Sequence, residues 1–142
     1  MELQPAEAEV VSLEASAFAQ ALPDPAARAR YESLAASAAS GSLADELVAP
    51  LQTMLELVFD TGRPTNRAVL QAVYARTPLG RQQAAAAREI TRALEALEGQ
   101  AIAHLRVSVG PSQQTLSIET DRVRVQLEFD RRGAHISQLE AG

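Results

Sequence analysis

Apolar residues recur at helical spacing through most of this chain and alternate with polar residues near its end, and the change lies near Gly99. This change of period predicts an α+β fold in which about five helices in 1–99 precede a four-stranded antiparallel β-meander in 100–142. We expect helices to cover one face of the meander. A chain of 142 residues fits one domain, so we expect 1–142 to fold as a single unit.

The beginning of the chain predicts two helices. The first would bury a stripe formed by Val10, Leu13, Ala17 and Ala21. The second begins with Asp24 as its N-cap and Pro25 at the first helical position, where the missing N–H costs nothing. Because Tyr31 and Leu34 are its only large apolar residues, we expect a peripheral or frayed helix that buries little surface.

The strongest amphipathic pattern follows. Ser42 and Asp45 resemble a capping box at the start of a third helix. Its apolar stripe consists of Leu43, Leu47, Leu51, Met54, Leu55 and Val58. Pro50 lies within the stripe, which predicts either a kink or a helix that begins after that residue.

Two more helices are predicted between Thr61 and Gly99. The shorter one presents Val69, Leu70, Val73 and Tyr74 on one face, and 77–80 (Thr-Pro-Leu-Gly) ends it. The last helix runs to Glu98 with Gly99 as its C-cap. Its stripe is formed by Gln83, Ala87, Ile90, Leu94 and Leu97. We expect helices 43–59 and 80–98 to cover the sheet.

The alternating segments predict a sheet with one apolar face and one solvated face. The apolar face would comprise Leu105, Val107, Leu116, Ile118, Val123, Val125, Leu127 and Phe129. If Thr120 and Asp121 form the tip of the middle hairpin, Ile118 faces Val123 and Glu119 faces Arg122.

The last hairpin has two possible registers. A type I turn over 130–133 with Gly133 in the left-handed region and a bulge would turn His135 and Leu139 inward. A strict two-residue loop would instead place Ile136 inside, opposite Leu127, but requires positive φ at two arginines. We favour the second register because it pairs two apolar residues.

The charge of the chain is unevenly distributed. Its formal charge of −5 divides into −8 for 1–60, +5 for 61–88 and −2 for 89–142. The positive segment contains no acidic residue, and its cations are Arg63, Arg67, Arg76, Arg81 and Arg88. Such asymmetry indicates pairing with an oppositely charged surface, within the chain or on a partner. These five arginines are therefore the candidate anion-binding or partner-binding residues.

Few residues are suited to catalysis. All 13 basic residues are arginine, which excludes a Schiff-base lysine. The absence of cysteine excludes a thiolate nucleophile and a metal site with thiolate ligands. His104 and His135 fall on the first and fourth strands, about 14 Å apart if three strand spacings separate them. The carboxylates are scattered, and no nucleophile elbow or phosphate-binding glycine pattern is present. We expect no enzyme activity, no cofactor and no metal.

Three functional hypotheses remain. The first is a non-enzymatic binding or assembly protein that associates with itself or with another protein. The second is a DNA-binding regulator, because 65–98 has the outline of a helix-turn-helix with Arg81 near the start of its second helix. The third is a small-ligand protein, since helices preceding an antiparallel sheet also occur in cystatin-like and nuclear transport factor 2-like pocket folds. Without a signal peptide or a long apolar run, we expect a cytoplasmic protein with no membrane partner.

Overall fold

The computed structural model describes residues 1–142 and contains five helices followed by a four-stranded antiparallel sheet, which confirms the predicted α+β class. The helices are α1 Pro5–Ala21, α2 Pro25–Ala39, α3 Asp45–Thr61, α4 Arg67–Tyr74 and α5 Pro78–Glu95. The strands are β1 Ile102–Val109, β2 Gln114–Thr120, β3 Val123–Asp130 and β4 Gly133–Ala141, arranged in the order β1-β2-β3-β4.

The chain forms two compact units, Met1–Pro78 and Leu79–Gly142. We call them the helical unit, which holds α1 to α4, and the sheet unit, which holds α5 and the four strands. The division precedes α5, whereas the change of sequence period lies near Gly99, because α5 buries its apolar residues against the sheet. That 1–142 acts as a single domain stays a prediction.

Small residues bring α1 and α2 together in the helical unit. The face that α1 buries consists of Ala8, Val11, Ala15 and Ala19, so the predicted face is wrong and Leu13 is 63% exposed. On α2, Tyr31 and Leu34 are buried with Ala35 and Ala38, so the expectation of a peripheral helix is also wrong. Alanine-rich faces bury little area per residue, but they let two helix backbones approach closely and so form a core.

The stripe of α3 lies in the core of the helical unit. All six predicted stripe residues belong to that core, with Leu51, Met54 and Leu55 fully buried. The expectation that this stripe covers the sheet is therefore wrong. The helix begins at Asp45 and continues through Pro50, and Ser42 instead forms an isolated β-bridge with Glu2.

One helix covers the sheet. Ala93 of α5 is buried with Val125 and Leu127 of β3. Residues packed around them are Ile90, Leu97, Leu116, Val123 and Ile136. The predicted stripe of α5 is only partly correct, because Ala87 and Leu94 are exposed. The core of the sheet unit is centred on β3.

The middle hairpin has a different register from the predicted one. Ile118 faces Val125 and Glu119 faces Arg124, so the predicted partners Val123 and Arg122 are wrong. The loop is formed by residues 121–122, because the Thr120 hydroxyl accepts hydrogen bonds from the N–H groups of residues 122 and 123 at 3.2 and 2.9 Å. A shift of both pairs by two residues keeps every side chain on its face, so the alternation could not distinguish the two registers.

The last hairpin places Ile136 opposite Leu127, as we favoured. The expected positive φ at two arginines is wrong, because Gly133 alone in this loop has a positive φ, of 120°. The Asp130 carboxylate accepts a hydrogen bond from the N–H of Arg132 at 2.7 Å and closes the loop. A bulge further along, opposite the step from residue 126 to 127, accommodates the extra residue of β4.

Candidate functional site

The apolar side chains of β1 are not covered. Leu105 is 62% exposed, Val107 65% and Val109 77%, although the sequence predicts the first two within the covered face. We call these three residues the β1 row. They belong to the sheet face on which α5 packs, because Leu105 pairs with Ile118, and Ile118 in turn pairs with Val125. Coverage by α5 therefore ends before β1, and the prediction of a covered face is wrong for this strand.

The edge of β1 is also free. The strand pairs with β2 on one side and lies at the end of the sheet order. Proteins commonly protect such edges with proline, lysine or inward-pointing charges. The sequence of β1, IAHLRVSV, contains no proline, and its one charged residue, Arg106, lies on the opposite face from the β1 row. An apolar surface and a set of unpaired backbone groups thus occur on the same strand.

Among the five candidate arginines, Arg76 binds a carboxylate. Its Nη2 lies 2.5 Å from Oε2 of Glu7, and its Nη1 donates to the main-chain oxygen of Glu2 at 2.8 Å. Glu7 caps the N-terminus of α1 through a hydrogen bond from the N–H of Gln4. Arg76 therefore joins the end of α4 to the start of α1. One arginine of the basic segment therefore pairs with an acidic residue from the first sixty positions.

The other four arginines form no ion pair. The guanidinium of Arg67 lies 5.5 Å above the ring centre of Phe59, a cation–π contact within the helical unit. Arg63, Arg81 and Arg88 are exposed and have no carboxylate within 4.0 Å. Arg81 and Arg88 lie on α5, whereas Arg63, Arg67 and Arg76 belong to the helical unit. The five residues therefore do not converge on a site within one unit.

The polar face of the sheet carries cross-strand pairs. Arg124 donates to Glu119 at 2.8 Å, and this hydrogen bond, followed by weaker attraction from Arg124, His104 and Arg106, holds the pKa of Glu119 below its usual value. His135 lies 3.0 Å from Glu128. His104 and His135 occupy β1 and β4, as predicted. The structure contains no group of three His, Asp or Glu side chains suited to holding a metal ion.

Comparison with known proteins adds no relationship. No family model, curated protein or solved structure matches the chain. None of the five helices has the length and apolar character of a membrane span.

Sequence reasoning missed the β1 row as a candidate site. Its residues alternate in the same way as those of the covered strands, so the pattern alone assigned them to the core. One signal was available: a single helix, about 10 Å across, cannot cover four strands spaced about 4.8 Å apart. Once the stripe of α3 is buried elsewhere, an edge strand must remain uncovered.

Proposed function

We propose that this chain is a non-enzymatic assembly protein of the cytoplasm, and that it associates with a second copy of itself through the β1 row. The observation that carries the proposal is the exposure of Leu105, Val107 and Val109 beside a covered part of the same sheet face. Contiguous exposed apolar surface is uncommon on monomers and is typical of interfaces.

The geometry favours face-to-face packing of two copies. Stacked sheets lie about 10 Å apart, which matches the layer that α5 occupies over β3. The β1 face of a second copy therefore fits beside α5 in the same layer. A two-fold axis near Val107, the middle residue of the row, would bring Leu105 of each copy towards Val109 of the other. Apolar residues then meet apolar residues, and no charge is buried.

Burial of the row would stabilise the dimer by the hydrophobic effect. Covering one Leu or Val side chain contributes about 1.5–3 kcal/mol when burial is complete. Part of that gain offsets the loss of translational and rotational freedom on association, so we expect a dissociation constant in the micromolar range, on the order of 1–100 μM.

Sedimentation velocity at low and high salt tests the proposal and separates it from association through charge. An apolar interface keeps or gains affinity as salt rises, whereas pairing of the 61–88 arginines with an acidic surface weakens because salt screens charges. We expect dimers at about 50 mM and at about 500 mM salt. A monomer in both conditions, at concentrations of about 100 μM or more, would rule out self-association.

Matched variants on one strand locate the interface. Leu105→Asp and Val107→Asp place a charge in the β1 row, and we expect both variants to be monomers. Ser108→Asp places the same charge on the opposite face of β1 and should remain dimeric. Equal dimerisation of all three variants would show that the contact lies elsewhere.

The DNA-binding and small-ligand hypotheses have less support. Leu70 and Val73 of α4 are buried in the helical unit, whereas α5 buries Ala93 against the sheet, so each helix uses its apolar face within its own unit. The contact of Ala93 with Val125 and Leu127 also fills the space in which a pocket between helix and sheet would lie. A gel shift on random duplex DNA at about 50 mM salt tests the first of these two hypotheses, since phosphate contacts are strongest at low salt.

A further inference from the structure

The face of the sheet opposite the β1 row contains a group of side-chain hydrogen-bond donors that have no acceptor within the chain. Arg106, Ser117 and Gln126 are directly paired across β1, β2 and β3. Next to them, His104, Glu119 and Arg124 form a second row across the same strands. Together these six side chains line a surface depression of about 310 Å³.

The two rows differ in their internal bonding. In the second row, Arg124 donates to Glu119 at 2.8 Å and also experiences the charge of Glu140. In the first row, the side chains of Arg106, Ser117 and Gln126 form no hydrogen bond or ion pair within the chain. A guanidinium, a hydroxyl and a carboxamide are thus available to one ligand, and each can donate hydrogen bonds.

The charge of the depression is positive. Two arginines and one glutamate among its lining residues give a formal charge of +1. Glu119 forms its ion pair with Arg124, so Arg106 has no hydrogen-bonded carboxylate and experiences Glu119 only through the weaker attraction of its charge. The depression is therefore suited to an anion, and the fork of Arg106 can bind two oxygen atoms at once.

We propose that Arg106, Ser117 and Gln126 form an oxyanion-binding site for a carboxylate or a phosphoryl group. Arg106 supplies a bidentate pair of N–H donors, and the Ser117 hydroxyl and the Gln126 amide bind the remaining oxygen atoms. The site does not depend on self-association. It lies on the opposite sheet face from the β1 row, so face-to-face packing of two copies leaves it open.

Titration of the ¹⁵N-labelled full chain with inorganic phosphate tests the site, with chloride adjusted to hold ionic strength constant. We expect saturable shifts of backbone amides in residues 104–106, 115–119 and 124–126. Arg106→Gln should weaken phosphate binding about tenfold or more, because it removes both charge and fork. The phosphate affinity of Arg106→Lys should lie between those of the wild type and Arg106→Gln, since lysine retains the charge but not the planar fork. Arg88→Gln removes an exposed, unpaired arginine of α5 and should leave affinity within about twofold.

A parallel titration with acetate distinguishes the sources of the oxyanion. Saturation by phosphate alone assigns the site to phosphoryl groups, and saturation by acetate alone assigns it to carboxylates. Either result supports the site when Arg106→Gln weakens that binding about tenfold or more. Linear shifts without saturation for both anions, or equal binding by the wild-type chain and a folded Arg106→Gln variant, would overturn the proposal.

Discussion

Arg76 and Glu7, which lie 69 positions apart in the chain, form an ion pair in which Nη2 is 2.5 Å from Oε2. Of the five arginines between residues 61 and 88, Arg76 is the one that forms an ion pair with a carboxylate. The Glu7 side chain is 16% exposed and that of Arg76 37%, so both are partly shielded from water. Loss of one partner leaves a half-buried charge, which is more costly than loss of a fully exposed pair.

We therefore predict that Arg76→Gln and Glu7→Gln each lower the free energy of unfolding of the helical unit by about 1–2 kcal/mol. In a double-mutant cycle, the coupling energy should be about 1 kcal/mol. Tyrosine fluorescence during urea denaturation is a suitable measurement, because both tyrosines, Tyr31 and Tyr74, belong to the helical unit. Arg88→Gln should change stability by less than about 0.5 kcal/mol. Additive single effects would show that the pair does not stabilise the unit.

The register of the last hairpin gives a second prediction. Ile136 packs against the covered core, whereas Leu139 is 53% exposed. We expect Ile136→Ala to cost about 2 kcal/mol and Leu139→Ala less than about 1 kcal/mol. Native-state hydrogen exchange of the β3 amides measures both losses of stability, because these amides lie in the sheet unit. Both residues lie on the covered face, Ile136 opposite Leu127 and Leu139 opposite Val125, so a larger effect for Leu139→Ala would contradict the observed packing of Ile136 in the core.

The third prediction concerns acid stability. The hydrogen bond and charge of Arg124, with lesser contributions from His104 and Arg106, hold the pKa of Glu119 below its unfolded value. Its contribution to stability is therefore present above the unfolded pKa and is lost as pH falls through the lower, folded pKa. Glu119→Gln should remove that acid-side loss, so its stability should depend less on pH than that of the wild type.

Thermal unfolding of both chains between about pH 7 and about pH 2 measures this difference. Glu98→Gln is the control, because Glu98 forms no ion pair and lies at an exposed position. The control should retain the acid dependence of the wild type. If Glu119→Gln retains it as well, the pair with Arg124 does not contribute to stability.

The fold class, the order of elements and the α3 stripe were predictable because they depend on the period and size of apolar residues. Leu51, Met54 and Leu55 are large enough to identify their face without knowledge of its partner. On α1, by contrast, the buried face is mostly alanine. Alanine is also common on exposed helix surfaces, so it does not identify the buried face. Leu13, the largest side chain of the predicted stripe, misled the assignment because size alone does not determine where α2 packs.

The candidate site was only partly predictable for a related reason. Alternation reveals the two faces of a strand but not whether anything covers them, so Val107 and Val125 have the same pattern and different environments. Hairpin register was likewise undetermined, since pairing Ile118 with Val123 or with Val125 matches apolar residues equally well. The charge pattern left open whether the 61–88 arginines pair within the chain or with a partner, and charge counting could not single out Arg76.

The uncovered edge of β1 also affects the tendency of the protein to aggregate. A strand with a free edge and the apolar row Leu105, Val107 and Val109 can serve as a template on which further strands add to form a fibre. The proposed face-to-face dimer would cover the apolar row, so unpaired chains would be the species that presents this template. A variant that blocks dimerisation but keeps the row exposed should therefore form aggregates more readily as its concentration rises.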